Sequence, residues 1–316
     1  MTHSTPDLAA SIRQRLLNLS KKRNEDFQTT LTRYGGERLL YRLSQSAHRD
    51  AFVLKGATLL LQWTGDAYRA TRDLDPLGWG SESPDHLVEV FREVVGVCVE
   101  PDGLVFAPNL VSGKEIREDA VYGGVRVRLT ATLGAARIPL QVDVGFGDAI
   151  TPGAVEIELP AALGLPSPRL HAYTPETVVA EKFQAMVALG MANSRMKDLA
   201  DVWELSRRIG FKGSTLAAAV TATFARRQTP VPASGDPMPF TPAFFDDEGK
   251  RRQWKALVAR GVSIHGTPTL SDTCLALRDF LMPIARAAAG AQTFDAVWRP
   301  GGPWTWLAGP PVAGIA

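Results

Sequence analysis

The sequence predicts an α+β fold, with strands and helices mixed through the first half and a helical second half. Three observations carry this. Between Gly103 and Asp148 the apolar residues alternate with a period of two. Upstream, short apolar runs end at glycines and are followed by helical patterns. Downstream of Thr174 the spacing is that of helices. The change near residue 170 divides the chain into domain 1–170, which opens on helices, and helical domain 171–316. The second holds a Pro-rich connector at about 229–247, where prolines 230, 232, 237, 239 and 242 read as an extended connector or a loop lying over the surface.

The elements follow in order. Leu16, Leu17 and Leu19 open the helical start, and a second run spans Phe27 to Leu43, with Gly35-Gly36 as an expected break. AFVLKG is a short strand ending at Gly56, and ATLLLQW is a buried helix beginning just after it. TRDLDPLGW is a strand whose Pro76 suits a strand end or an edge. SPDHLVEVFREVVG is a helix with Ser83 at its N-cap and Pro84 at its first position. In GVRVRLTATL, Val125, Val127, Leu129, Ala131 and Leu133 face one way and Arg126, Arg128, Thr130 and Thr132 the other. IPLQVDVGF repeats this, with Gln141 and Asp143 on the polar side, so two adjacent strands share one buried face. A helix runs from Thr174-Pro175 to about Leu189, a second from about Ser194 to Arg208, and a last helical region from Trp254 to Ala289. Trp254, Trp298, Trp304 and Trp306 are expected to pack this region rather than stack bases.

Composition excludes several classes. The 316 residues carry 35 Lys+Arg and 33 Asp+Glu, a net +2, which is no histone-like cationic binder but permits a local basic patch. The two cysteines, Cys98 and Cys274, make neither a disulfide framework nor a cysteine zinc site, and suit a reducing cytoplasm. No apolar run is long enough for a membrane helix, so no membrane partner is expected. MTHSTPDLAASIRQRL lacks the apolar core of a secretory signal. The five histidines are scattered, so any chemistry should run on carboxylates.

Asp73 and Asp75 stand two apart on a strand and share a face. Oxygen ligands so placed suit one or two Mg²⁺ ions, although a solvated strand end gives the same pattern. Asp143 becomes a third carboxylate if its strand lies beside theirs, and three converging carboxylates suit phosphoryl or nucleotidyl transfer. Lys182 has Val178, Val179 and Met186 on its own helix face. It therefore needs an anion, a carboxylate or a bound phosphate, unless it snorkels to the rim. Asp198 shares a face with Val202, Leu205 and Ile209, and Arg195 lies near it. Lys197 and Asp201 fall toward the polar face as a surface ion pair. Lys182 with Asp198 also reads as a structural salt bridge between helices. Gly56, within Lys55-Gly56-Ala57-Thr58, allows close approach of a phosphate to a helix N-terminus.

The set FVLKGATLLLQW, Arg69-x-Thr-x-Asp-Leu-Asp75, VDVGFGD, AEKFQA and NSRMKDLADVW resembles the AbiEii-type nucleotidyltransferase toxins of bacterial abortive-infection toxin–antitoxin systems. RYGGERLLYRLSQS and the Trp- and Pro-rich tail are similar too, so the resemblance covers most of the chain. It implies a polymerase-β-like core with a mixed sheet and an added helical C-terminal part. It implies Mg²⁺ on Asp73 and Asp75, with Asp143 aligning or deprotonating the acceptor hydroxyl. It also implies a triphosphate contact from Lys182, helped by Arg69 or Arg195, and a K-D-x-x-D motif at Lys197, Asp198 and Asp201. The superfamily's usual Gly-Ser is absent: Ala57 follows Gly56, and Thr58 is the nearest hydroxyl.

The implied activity is a cytoplasmic, Mg²⁺-dependent transfer of NMP from an NTP to RNA. The acceptor is the tRNA 3′ end, translation is blocked, and a separate antitoxin protein is the partner. Two alternatives stand beside it: transfer to a small-molecule or protein hydroxyl, and a non-catalytic binding protein on the same scaffold. An RNA acceptor is expected to use Arg126, Arg128, Arg207, Arg208, Arg226, Arg227, Lys250, Arg251 and Arg252.

Overall fold

The computed structural model describes residues 5–64, 73–119, 122–260, 262 and 264–307. The chain divides into two compact units, one of residues 1–62, 70–148 and 155–172, the other of 63–69, 149–154 and 173–316.

The first unit begins with helices α1 (Thr5–Lys22) and α2 (Phe27–Ser44). Asp26 caps α2 by accepting from the Thr29 amide. The expected break at Gly35-Gly36 does not occur. A side chain at Gly35 would meet Ile138 Cγ2 at 3.1 Å, so the glycines let the helix lie close on the sheet rather than ending it. Next come β1 (Phe52–Lys55), α3 (Ala57–Thr64), β2 (Asp73–Gly78) and α4 (Pro84–Gly96). β3 (Leu104–Phe106), β4 (Ser112–Asp119), β5 (Tyr122–Leu133), β6 (Ala136–Phe146), β7 (Val155–Glu158) and β8 (Arg169–Ala172) complete the unit.

These strands make one mixed sheet of eight, in the order β3-β5-β6-β2-β1-β8-β7, with β4 also on β5. β2 runs parallel to β6 and β1 to β8, and the remaining pairs are antiparallel. The period-two residues form the core: Val125, Val127, Leu129, Ala131, Leu133, Ile138, Leu140, Val142 and Val144 are all buried. Pro76 departs from expectation. It lies inside β2, a central strand, opposite Leu54 of β1. The partners on β6 keep one offset across it, Leu74 with Val142 and Leu77 with Gly145. The missing donor therefore interrupts the ladder without shifting its register.

The second unit holds α5 (Pro175–Leu189), α6 (Met196–Arg208), β9 (Phe211–Lys212), α7 (Gly213–Arg226), α8 (Pro242–Phe245), α9 (Glu248–Ala259), α10 (Leu270–Ala289), β10 (Ala296–Trp298) and β11 (Trp304–Trp306). The helical expectation misses a small antiparallel sheet, β11-β10-β9, whose strands of two or three residues are too short to show a period. Residues 229–237 of the Pro-rich stretch are irregular and lie at the surface, but from Met238 the chain packs inward. Phe240, Phe244 and Phe245 are buried, and Phe240 stacks on Phe183 of α5. The tryptophans pack as expected. Phe280 meets Trp298 at 4.7 Å and Trp304 at 5.7 Å, while Trp298 Nε1 donates to the Ser206 carbonyl.

Candidate active site

In the first unit the polar face of the sheet collects charge by register. Lys55 on β1 pairs with Asp75 on β2. The offset that pairs Asp73 with Gln141 sets Asp75 level with Asp143 on β6. Asp143 in turn pairs with Arg126 on β5. The row across four strands thus reads Lys55, Asp75, Asp143, Arg126, and Asp73 stands one step along β2 on the same face.

Each member is held. Gly56 turns the chain from β1 into α3 at φ +78°, a conformation glycine adopts freely. A Cβ there would lie 2.6 Å from Asp75 Oδ2, so the glycine also makes room for that carboxylate. Thr58 lies in the first turn of α3, half-buried. Lys55 Nζ donates to Asp148 Oδ2 at 2.9 Å, and a Cβ on Gly145 would lie 3.1 Å from that nitrogen. Lys55 therefore reaches across β2 to lie over β6. Asp143 accepts a fork from Arg126, Nε at 2.8 Å and Nη2 at 2.7 Å, and a third bond from Gln141 Nε2 at 3.2 Å.

Oxygen ligands on one strand face suit a hard divalent cation, and Asp73 with Asp75 supply such a pair. Among the described residues, no three His, Cys, Asp or Glu side chains are gathered closely enough to hold a metal ion. Arg69 lies outside the described residues.

In the second unit, Lys182 of α5 meets both acids of α6. Its Nζ lies 2.7 Å from Asp198 Oδ1 and 2.8 Å from Asp201 Oδ2. Arg195 Nε lies 2.6 Å from Asp198 Oδ2. Asp198 turns inward as its phase predicts, but the surface pairing of Asp201 with Lys197 is wrong: Asp201 is fully buried and Lys197 is exposed. Two carboxylates three residues apart both reach one ammonium because α6 presents neighbouring positions to it. Burial alone would lower the Lys182 pKa, but Asp198 and Asp201 outweigh it and hold the ammonium above the usual lysine range. Burial likewise pushes Asp198 up, and Lys182 with Arg195 reverses this, leaving it below the usual carboxylate range.

A buried network in the first unit escaped sequence reading. Arg42 forks onto Asp102 at 2.6 and 3.2 Å, and the fully buried Arg38 touches Asp102 and donates to the Pro166 carbonyl at 2.7 Å. Tyr34 donates to the Asp102 carbonyl, and Glu37 accepts from the Ala162 amide at 2.7 Å. Burial pushes the Glu37 carboxyl up to about 7, against that hydrogen bond and Arg38. The apolar period of α2 gave no sign of it, because the cations sit among its core positions. Asp148 was also missed, although it closes the VDVGFGD motif.

Several of the cations named for an RNA route are engaged within the protein. Arg126 holds Asp143, Arg208 holds Glu204, Arg227 holds Glu181 and Arg251 holds Asp246. Lys250 is buried and donates to the Asn193 carbonyl, and Arg207 lies over the Trp203 ring. Arg128, Arg226 and Arg252 are exposed.

The family model described as "Nucleotidyl transferase AbiEii toxin, Type IV TA system" matches residues 38–276, about three quarters of the chain. The chain belongs to the AbiEii family. It is a nucleotidyltransferase toxin of the type IV toxin–antitoxin class, and that class implies an antitoxin partner. A comparison with the curated proteins gives no match. Among solved structures, JHP933 from Helicobacter pylori is 15% identical with TM-score 0.42, covering 80% of this chain and 89% of its own. A second H. pylori chain, provisionally assigned as a nucleotidyltransferase, is 16% identical with TM-score 0.41, covering 80% and 92%. No helix among the described residues is long and apolar enough to cross a membrane.

Proposed function

We propose that this AbiEii protein carries a polymerase-β-like core and transfers NMP from an NTP to the 3′ hydroxyl of an RNA in the cytoplasm, with tRNA as acceptor. Translation is blocked as a result, and a cognate antitoxin counters the protein. The observation that carries the reading is the level placement of Asp75 and Asp143, with Asp73 one step along, beside a glycine turn that leads into a helix.

In the reaction the acceptor oxygen bonds to the α-phosphorus, the bond from that phosphorus to the bridging oxygen breaks, and pyrophosphate leaves. Mg²⁺, when bound, neutralises phosphate charge and favours the hydroxyl in its ionised form. Asp73 and Asp75 would hold it together with Asp143. Asp143 aligns the acceptor and takes its proton. Lys55, Gly56 and Thr58 bind phosphate at the start of α3, where amide groups and positive charge suit an anion. Lys182 binds the triphosphate with Arg195 beside it. Its ammonium has three donors and gives two to Asp198 and Asp201, which leaves one. Asp198 fixes that ammonium in position. The catalysis is positioning and electrostatics.

A second reading, transfer to a small-molecule or protein hydroxyl, gains support from the internal engagement of Arg126, Arg208, Arg227, Lys250 and Arg251. The test is transfer from each α-labelled NTP to total tRNA with Mg²⁺, beside Asp75→Asn. Label in tRNA with the wild type alone supports the first reading. Label only on added protein or small acceptors supports the second. No transfer to any acceptor refutes both and leaves a binding protein.

A further inference from the structure

We infer that Arg126 is a displaceable counter-ion: it neutralises Asp143 until a divalent cation claims that carboxylate, and the released guanidinium then binds nucleotide phosphate. The inference rests on the proposed nucleotidyl transfer and assigns that site a residue the family resemblance did not supply.

The geometry begins with crowding. Asp75 and Asp143 are level on neighbouring strands, and such strands lie about 4.8 Å apart, so two like charges face one another. Positive charge beside them offsets that repulsion. Arg126 supplies it by occupying both oxygens of Asp143, at 2.8 and 2.7 Å. A planar fork on a carboxylate is the strong form of this pairing. It also fills the positions through which a metal would be held.

Arg126 is built to leave. Its side chain is 32% exposed, whereas that of Asp143 is 8% exposed. The acid lies deeper in the sheet, and the base is the more exposed partner of the pair. The next residue along β6 on this face, Gly145, has the Lys55 ammonium over it. A freed Arg126 would therefore join a second cation on the same face, and an arriving polyphosphate would meet both. Charge stays balanced throughout. A divalent cation replaces one guanidinium at the acids, and the phosphates that accompany it take the guanidinium in turn.

The test is Mn²⁺ binding followed by electron paramagnetic resonance, on protein treated with EDTA, dialysed and free of nucleotide. Wild type, Arg126→Gln, Arg126→Lys, Asp143→Asn and Asp75→Asn are compared after circular dichroism melts confirm folding. Removing a part-exposed ion pair that competes with the metal should tighten Mn²⁺ binding about fivefold in Arg126→Gln. Asp143→Asn should weaken it. Binding of α,β-methylene-ATP should weaken about tenfold in Arg126→Gln, because a charge-assisted phosphate contact is lost. Arg126→Lys keeps charge without the fork, should fall between, and carries the test if the glutamine variant does not fold. Unchanged or weaker Mn²⁺ binding in Arg126→Gln, with binding lost in Asp75→Asn, overturns the counter-ion role and leaves the nucleotidyl-transfer reading standing. Mn²⁺ binding equal in wild type and Asp75→Asn, or absent from every variant, overturns both.

Discussion

Replacing Lys182 by Met tests how much of the second unit rests on one ammonium. Lys182 is 13% exposed, Asp198 5% and Asp201 0%. The two carboxylate oxygens it holds, at 2.7 and 2.8 Å, are no more than about 5.5 Å from each other. At an effective dielectric constant of about 20, two unit charges so placed repel by about 3 kcal/mol. Arg195 still faces Asp198, so that acid keeps one cation. One acid escapes by taking a proton. Lifting a carboxylate from about 3.9 to neutrality costs about 4 kcal/mol at pH 7, which sets the ceiling. The expected loss is therefore about 3 to 4 kcal/mol, within the range for a broken buried pair.

Urea unfolding followed by tryptophan fluorescence suits the measurement, since Trp79 is the one tryptophan assigned to the first unit. The pH dependence adds a second check. In the wild type the depressed Asp198 contributes stability above its unfolded value, and this is lost as pH falls through the folded value. In Lys182→Met, stability should instead rise as pH falls from 7 to 5, because an acid can then protonate. Adding Asp198→Asn and Asp201→Asn should restore part of the loss. A cost under about 1 kcal/mol at pH 7, with no pH reversal, would refute the argument.

The remaining predictions concern the first unit. Gly56→Ala forces a side chain to within 2.6 Å of Asp75 Oδ2 at φ +78°, so transfer should fall about a hundredfold for a displacement of roughly 1 Å. Stability should fall by about 1 to 3 kcal/mol in a melt, and full activity would show that Asp75 tolerates movement. Glu37 rises from 4.5 to about 7 on folding, so the folded chain binds the extra proton between those values and stability declines as pH rises through them. Glu37→Gln should gain up to about 3 kcal/mol over the wild type at pH 8 and nothing at pH 4.5, read from denaturation by circular dichroism. Equal gains at both values would mean that the charge is not what matters.

The sheet was legible because its chemistry is local. Val125 to Leu133 and Ile138 to Val144 alternate strictly, and a period of two has one structural solution when one face is buried. The same alternation put Asp143 on the polar face before any partner strand was known. What sequence could not give was the offset between β2 and β6, which depends on a parallel pairing of segments some 68 residues apart. Asp201 failed for a different reason. Helical phase separates an inward stripe from an outward one only where a helix is covered on a single side. Every residue of α6 from Asp198 to Ser206 is buried, so nearly all its phases face protein and the polar stripe does not exist. The Phe-containing stretch after Pro237 was misread because proline density reports backbone stiffness, not exposure. Phe240 and Phe244 decide where it lies.

The inward position of Asp201 bears on function. Asp198 and Asp201 share one ammonium, so the motif's two acids do not have separate roles as surface and core residues. Losing either leaves Lys182 with one buried partner and shifts the ammonium as well as its charge balance. Asp201→Ala should then impair nucleotide binding about as much as Asp198→Ala, a tenfold loss being the order expected for one misplaced charge-assisted contact. Isothermal titration with a non-hydrolysable nucleotide measures this directly. If only Asp198→Ala weakens binding, Asp201 is a structural neighbour and Asp198 alone aims the lysine.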